Sequence, residues 1–124
     1  ASLLKSLKKG EMVGNLPDQE PDDRSGGVFA PFMGVDAFSP KLVTRLISKT
    51  GARVVIGFAK RLPDSKGFDL YFNEADKGIY SEDETEAVAA MNRTVAEMVA
   101  LAPEQYQWEY KRFKTRPEGQ DKFY

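Results

Sequence analysis

The residues best placed for chemistry in this sequence are Asp18 and Gln19, which follow a short apolar run and a proline. Residues 11–16 are predicted to form a buried strand, and Pro17 ends it because proline fixes φ and lacks a backbone donor. In open α/β sheets, ligands bind outside the carboxyl ends of strands, so a carboxylate and an amide at this point predict a functional pair. The alternative is an ordinary turn, since Asp, Pro and Gly also occur in loops for conformational reasons alone.

A second candidate site lies near the C-terminus, where basic residues are interleaved with aromatic ones. Residues 111–124 hold five basic and two acidic side chains: Lys111, Arg112, Lys114, Arg116 and Lys122 against Glu118 and Asp121. Arg112, Lys114 and Arg116 could bind phosphate groups, because guanidinium matches phosphate in a fork and aromatic rings suit interfaces. These residues could equally belong to a terminal helix that packs its rings on a sheet while its cations are solvated.

Composition restricts the chemistry that the chain can carry out. Its 124 residues contain no histidine and no cysteine, which excludes serine–histidine triads, cysteine–histidine pairs and the usual zinc sites within this sequence. We therefore expect no metal site and no cofactor. The net charge of −1 argues against nucleic acid as a partner, and the apolar runs are shorter than the roughly 20 residues of a membrane span. The length and the 41% hydrophobic content predict one domain over residues 1–124.

The elements that would position these candidates follow from hydrophobic spacing and turn residues. Helices are predicted over residues 2–9, residues 39–50 and residues 81–102, with a further short helical stretch after Pro103. Ser39 and Pro40 are typical of a helix start, Gly51 of a helix end, and Ser81 with Glu84 forms a capping-box pattern. Val and Met recur at helical spacing after Glu84, so the last long helix should be a core helix.

Strands are predicted between these helices. Residues 53–59 are apolar almost throughout, which is typical of a strand buried on both faces of a parallel sheet. Turn residues at 62–67 then predict a hairpin with the alternating segment 68–73. Pro31 marks residues 28–33 as an edge strand or an irregular extended segment. The predicted fold is therefore α/β, with a mixed, partly parallel sheet flanked by helices.

Four stretches of the sequence resemble a known family in order and spacing: LKKGEMVGNLPDQEP, GGVFAPFMG, TGARVVIGFAKRLPDSKGFDLYF and APEQYQWEYKRFKTRPEG. The chain resembles the C-terminal half of the lipid A biosynthesis lauroyl/myristoyl acyltransferases of Gram-negative bacteria, in the lysophospholipid-acyltransferase-like superfamily. The resemblance implies the C-terminal part of a glycerolipid-acyltransferase-like fold. It also implies an enzyme that moves a fatty acyl chain from acyl carrier protein to a hydroxyl of a lipid A precursor, at the cytoplasmic face of the inner membrane.

The resemblance assigns roles to individual residues. In the family, a histidine followed after four residues by an acid is the general base, and that motif would lie upstream of Ala1. The aspartate of the family's P-D turn corresponds to Asp18, which implies a supporting catalytic role. From their position and charge, and not from the family motif, Gln19, Arg112, Lys114 and Arg116 are the predicted substrate-binding residues, and the basic ones could instead contact the acidic carrier protein. The family often has a histidine between the tryptophan and the RFKTRP string, whereas this chain has residues 109–111, EYK.

Two other classes of function remain open from the sequence. The chain could be a non-catalytic binding module that uses its basic and aromatic C-terminal segment on an anionic lipid or protein. It could also be a structural fragment that exposes the broken edge of a sheet and pairs with another chain. Because the sequence contains no histidine, we expect the isolated chain to transfer no acyl group.

Overall fold

The computed structural model of the protein describes residues 2–124. Within that part of the chain the regular elements are, in order: α1 (Ser2–Lys8), β1 (Gly27–Phe32), β2 (Val35–Pro40), α2 (Leu42–Thr50), β3 (Val55–Arg61), β4 (Phe68–Glu74) and α3 (Glu84–Leu101). Short 3-10 turns lie at Arg24–Gly26, Pro63–Ser65, Lys77–Tyr80 and Pro103–Gln105. No helix within the described residues has both the length and the hydropathy needed to cross a bilayer.

The strands form two separate antiparallel hairpins. β1 pairs with β2 in a register that runs from Gly27 opposite Pro40 to Phe32 opposite Val35, and β3 pairs with β4. The α/β class is confirmed, but neither sheet has a parallel pair. The prediction that residues 53–59 form the buried central strand of a parallel sheet is therefore wrong for the described chain. The hairpin between β3 and β4 is confirmed.

The 18-residue helix α3 forms the centre of the core. Its apolar positions predicted from helical spacing are all buried: Val88, Met91, Val95, Met98 and Val99. One core cluster joins α3 to Ala30 and Ile47, and a second joins it to Phe32 and Ala37. The first hairpin and α2 therefore pack against this helix.

Helix α2 begins later than predicted. Ser39 and Pro40 end β2, and the helix starts at Leu42 after Lys41, which makes no side-chain capping bond. The strand continues to this point because Ser39 is fully buried and hydrogen-bonded inside the protein, as described below. The predicted helix end is confirmed, since Gly51 has φ 67° and its amide donates to the Ile47 carbonyl at 2.7 Å.

The N-terminal cap of α3 is Asp83 and not the predicted Ser81. The Asp83 carboxylate accepts a hydrogen bond of 2.8 Å from the Glu86 amide, whereas the Ser81 hydroxyl accepts one of 3.1 Å from the Asp83 amide before the helix starts. The cap lies two residues further along the chain because only Asp83 is followed directly by helical backbone.

We expect Asp83→Ala to lower the free energy of unfolding by about 1 kcal/mol, because the substitution removes an N-cap acceptor at a helix end. Ser81→Ala is the matched control, and we expect it to cost less than half as much. Chemical denaturation of the two variants measures the difference. A larger loss for Ser81→Ala would show that the serine is the true cap.

Two further predicted elements do not form. Residues 11–16 are irregular, with Met12 97% exposed and Leu16 84% exposed. A strand needs a neighbour for its backbone groups, and no described strand pairs with this segment. The C-terminal part forms the 3-10 turn Pro103–Gln105 and then a series of turns, so the predicted terminal helix is also wrong.

Candidate functional site

A groove of about 770 Å³ lies beside α3. Its walls are formed by α2, β3, α3 and the irregular segment 10–18. The apolar side chains that line it include Ile56, Phe58, Met91, Val95, Met98 and Val99. We call this feature the apolar groove. Its volume lies within the range of about 300–1,000 Å³ that is typical of small-molecule sites.

Asp18 and Tyr106 both line the apolar groove, and we call this polar part of its lining the rim. Burial raises the pKa of the Tyr106 phenol, and the neighbouring Asp18 carboxylate raises that pKa further, whereas Arg112 lowers it. The phenol is therefore protonated at neutral pH and can donate a hydrogen bond. The structure thus brings a carboxylate and a phenolic donor together beside an apolar cavity, and Asp18 is where the sequence predicted a functional residue.

The turn that carries Asp18 is anchored by Glu20, a buried residue that the sequence analysis did not single out. The Glu20 carboxylate accepts hydrogen bonds from the Thr115 amide at 3.1 Å and the Thr115 hydroxyl at 2.7 Å. The Glu20 amide donates to the Tyr110 hydroxyl at 2.9 Å. These contacts join positions at least 90 residues apart, so no local pattern marks Glu20 as an anchor. They hold the Asp18 turn against the C-terminal segment.

Gln19, the predicted partner of Asp18, is exposed and does not line the apolar groove. Its predicted role in binding substrate stays a prediction.

Arg112 is buried, with 3% of its surface exposed. One terminal nitrogen donates to the Phe38 carbonyl at 2.8 Å and the other to the Ser39 hydroxyl at 2.7 Å, and the guanidinium lies over the Phe32 ring at 5.2 Å. Burial lowers the pKa of Arg112, and the nearby Tyr106 and other acidic groups oppose that change. A guanidinium enclosed in this way has an internal, structural role in the described chain, and its predicted role in binding substrate stays a prediction.

The buried hydroxyl of Ser39 connects three parts of the chain. It accepts hydrogen bonds from Arg112 and from the Asn92 side-chain amide, the latter at 2.9 Å, and donates to the Ala37 carbonyl at 3.0 Å. The same amide donates to the Pro31 carbonyl at 3.1 Å. This network ties the first hairpin, α3 and the C-terminal segment together. It explains why Ser39 lies in a strand and does not cap a helix.

The other two predicted basic ligands differ in their surroundings. Lys114 is exposed. Arg116 donates to the Asp36 carbonyl at 2.6 Å and lies over the Phe123 ring at 4.6 Å. The rings of Tyr106 and Phe113 pack on Phe32, with centroids 6.5 Å and 6.1 Å from that ring. The C-terminal aromatic residues therefore dock on the first hairpin, as one of the two sequence interpretations predicted, although the segment is not helical.

The chemistry available at the rim of the apolar groove is limited to hydrogen bonding and charge. Within residues 2–124 no group of three His, Cys, Asp or Glu side chains is arranged to hold a metal ion. The Asp18 carboxylate can accept a hydrogen bond and the Tyr106 phenol can donate one. The groove beside them can hold an apolar chain. Such an arrangement suits the positioning of an amphipathic substrate.

Comparison with known proteins gives matches along almost the whole chain. Residues 1–115 match the family model described as bacterial lipid A biosynthesis acyltransferase. The lipid A biosynthesis lauroyltransferase of Escherichia coli (strain K12) is 36% identical over 118 residues, which are 94% of this chain and 38% of that protein. The palmitoleoyltransferase of the same strain is 37% identical over 123 residues, 98% of this chain and 40% of that protein. The chain thus spans about two fifths of the length of these relatives.

Proposed function

This chain belongs to the family of bacterial lipid A biosynthesis acyltransferases, and we therefore propose that it forms the C-terminal part of an enzyme that moves a fatty acyl chain to a hydroxyl of a lipid A precursor. The proposed donor is acyl carrier protein, and the proposed location is the cytoplasmic face of the bacterial inner membrane. The observation that carries the proposal is the position of Asp18 on the rim of the apolar groove. The apolar lining of the groove suits the hydrocarbon chain of an acyl-transfer substrate, and the carboxylate of Asp18 suits its reacting polar group.

The apolar groove is the proposed binding site of the fatty acyl chain. Its lining is formed by Met, Val, Ile and Phe side chains of β3 and α3, which remove an alkyl chain from water. A chain bound along α3 would place its carbonyl end near Asp18 and Tyr106, where the lining becomes polar. The groove would thus hold the thioester carbonyl beside Asp18 and Tyr106.

The reaction that we propose is attack of an acceptor hydroxyl on a thioester. A general base takes the hydroxyl proton, the oxygen forms a bond to the thioester carbonyl carbon, and the carbon–sulfur bond breaks to release the thiol of the donor. In this proposal the general base is the histidine of the family motif; these 124 residues contain no histidine, so another part of the enzyme supplies it. Asp18 accepts a hydrogen bond from the acceptor hydroxyl or from that base and orients it. Tyr106 offers a neutral donor at the same rim.

The exposed basic residues near the C-terminus are the proposed contacts for phosphate groups or for the acidic carrier protein. Lys114 is exposed and is the proposed cation for this contact, with Gln19 as a neutral neighbour of the reacting groups. Arg116 is already engaged with Asp36 and Phe123, so in this proposal it holds the segment in place. Salt screens the attraction between an exposed lysine and an anionic partner, so this part of the binding should be sensitive to ionic strength.

We expect a bulky side chain in the apolar groove to shift acyl-chain preference towards shorter chains. Met98→Trp in the full-length enzyme should lower kcat/KM for a longer acyl donor relative to a shorter one by about tenfold, since each methylene that no longer fits costs about 1–3 kcal/mol. The measurement compares acyl donors that differ by two to four carbons. The ratio between donors does not depend on the amount of folded enzyme, so partial unfolding would not imitate the effect.

Leu101→Trp is the matched control, because Leu101 lies on the same helix but is 40% exposed and outside the apolar groove. We expect this variant to keep the wild-type ratio. An unchanged ratio in Met98→Trp, with normal folding, would show that the acyl chain binds elsewhere.

A further inference from the structure

The hairpin of β3 and β4 has an exposed apolar face, opposite the face that carries Ile56 and Phe58, and one of its residues, Val55, also lines the apolar groove. In the observed register Gly57 lies opposite Phe72 and Ala59 opposite Leu70. The large apolar residues of this face are Val55, Phe68, Leu70 and Phe72, with exposed fractions of 62%, 61%, 65% and 66%. We call these four residues the outer face of the hairpin. The Phe72 ring lies over Gly57, where a Cβ atom would come within 2.9 Å of it, whereas Phe68 lies opposite Arg61 and Val55 opposite Glu74.

The other side of the hairpin is apolar as well. Ile56 packs against the core cluster of Phe32 and Val99, and the Phe58 ring lies 6.3 Å from the Tyr71 ring. An antiparallel hairpin that faces water on one side normally alternates apolar and polar residues. β3 does not alternate, which is why the sequence predicted a strand buried on both faces; β4 does alternate, but its apolar residues Phe68, Leu70 and Phe72 lie on the exposed face. The pattern of residues therefore requires a cover on the outer face.

Several physical features argue that this surface is not exposed in the complete enzyme. Monomeric proteins seldom leave four neighbouring large apolar side chains exposed on one face. A two-stranded hairpin is also only marginally stable in water by itself. Each strand has one edge with no partner strand among residues 2–124; on β3 the Gln105 side chain bonds the amide and carbonyl of Arg61, and no strand pairs with the rest of that edge.

We propose that the outer face of the hairpin is covered by the part of the acyltransferase polypeptide that lies beyond these 124 residues. The matching relatives are about two and a half times as long as the matched stretch, since that stretch is 38–40% of their length. The remaining polypeptide is therefore large enough to supply a covering layer of helices or further strands. The proposal rests on membership of the family and does not depend on the proposed acyl transfer.

The charge of the hairpin argues against a lipid surface as the occupant. Residues 55–74 contain three basic side chains, Lys60, Arg61 and Lys66, and three acidic ones, Asp64, Asp69 and Glu74. Segments that bind anionic membranes usually combine an apolar face with an excess of basic residues. The hairpin has no such excess, so its apolar face suits a protein interior better than a headgroup region.

Cysteine labelling of the full-length enzyme tests the proposal. Leu70→Cys and Phe72→Cys are made in a background without other reactive cysteines, and each rate of reaction with a maleimide is divided by the rate in denaturant. In monomeric enzyme without vesicles, we expect both cysteines to react at least about 10²-fold more slowly than in denaturant, because a covered thiol reacts only after local opening. Lys66→Cys, at the exposed turn of the same hairpin, is the control for reagent access.

Other occupants give different results, and each would overturn the proposal. Protection that appears only with anionic phospholipid vesicles would indicate a membrane surface. Protection that appears only at higher protein concentration would indicate a second copy of the chain. Hydrogen exchange of the unmodified full-length enzyme gives a second measurement that needs no substitution: slow exchange of the amides in Phe68–Glu74 is expected, and exchange at the rate of an unprotected hairpin would also overturn the proposal.

Discussion

We expect Arg112→Ala to lower the free energy of unfolding by about 3 kcal/mol. The substitution removes two hydrogen bonds from a charged donor, to the Phe38 carbonyl and the Ser39 hydroxyl, and each such bond contributes about 1.5–3 kcal/mol. The Phe38 carbonyl would lose a partner inside the protein, and the face of the Phe32 ring would lose its packing against the guanidinium. Chemical denaturation measures the loss.

Two variants make this prediction specific. Arg112→Lys should recover only part of the stability, because a single ammonium group cannot reproduce the two-pronged geometry with which the guanidinium reaches both acceptors. Lys114→Gln should change the free energy of unfolding by less than about 0.5 kcal/mol, as is usual for an exposed position. If Arg112→Ala left stability unchanged and weakened binding of an anionic substrate, the guanidinium would be a phosphate ligand, and the internal role assigned here would be wrong.

The parts of the fold that were predictable from sequence are those determined by local spacing. Helix α3 repeats its apolar residues with the helical period over five turns, and its buried positions follow from that repeat alone. The end of α2 is determined by Gly51, which occupies the left-handed region at φ 67°. The hairpin of β3 and β4 follows from turn residues between two extended segments. None of these features depends on a distant part of the chain.

The wrong predictions concern elements whose state depends on a partner. Residues 11–16 have the composition of a strand, but a strand forms only where another one pairs with it, and none of the described strands does so. Residues 53–59 have the composition of a strand buried on both faces, yet one face of β3 is exposed here. In both cases the sequence carries a pattern suited to more neighbours than residues 2–124 provide.

The position of Asp18 in the candidate site was predictable from the sequence, whereas the surroundings of Arg112 were not. Asp18 was identified from its place after an apolar run, and the structure puts it on the rim of the apolar groove. The burial of Arg112 was not predictable, because a basic residue between aromatic ones has the same local pattern whether it is exposed or buried. Its acceptors are 73 and 74 residues away along the chain, as the hydrogen bonds to Ser39 and Phe38 show. Only the tertiary fold distinguishes the two cases.

We expect Asp18→Asn to lower the turnover of the full-length enzyme by about 10²-fold, within the range that a positioned acid–base partner contributes. Asparagine keeps the size of the side chain but removes its charge, so it orients an acceptor hydroxyl or a base less strongly. Asp18 is partly buried and its turn is held by Glu20, so the rest of the site should remain in place. The loss should fall mainly on kcat, with little change in KM, because the interaction strengthens as the transition state forms.

The neighbouring acids Asp22 and Asp23 provide the controls, since they lie in the same loop but do not line the apolar groove. Asp22 is exposed, and Asp22→Asn should leave turnover within about twofold of wild type, as expected for a solvated surface charge. Asp23 accepts a hydrogen bond of 3.1 Å from the Ser25 amide, and asparagine can keep that bond, so Asp23→Asn should also have little effect. A thermal melt of each variant checks that folding is unchanged. Similar losses of turnover at all three positions would mean that the charge of the loop matters and that Asp18 has no special role at the groove.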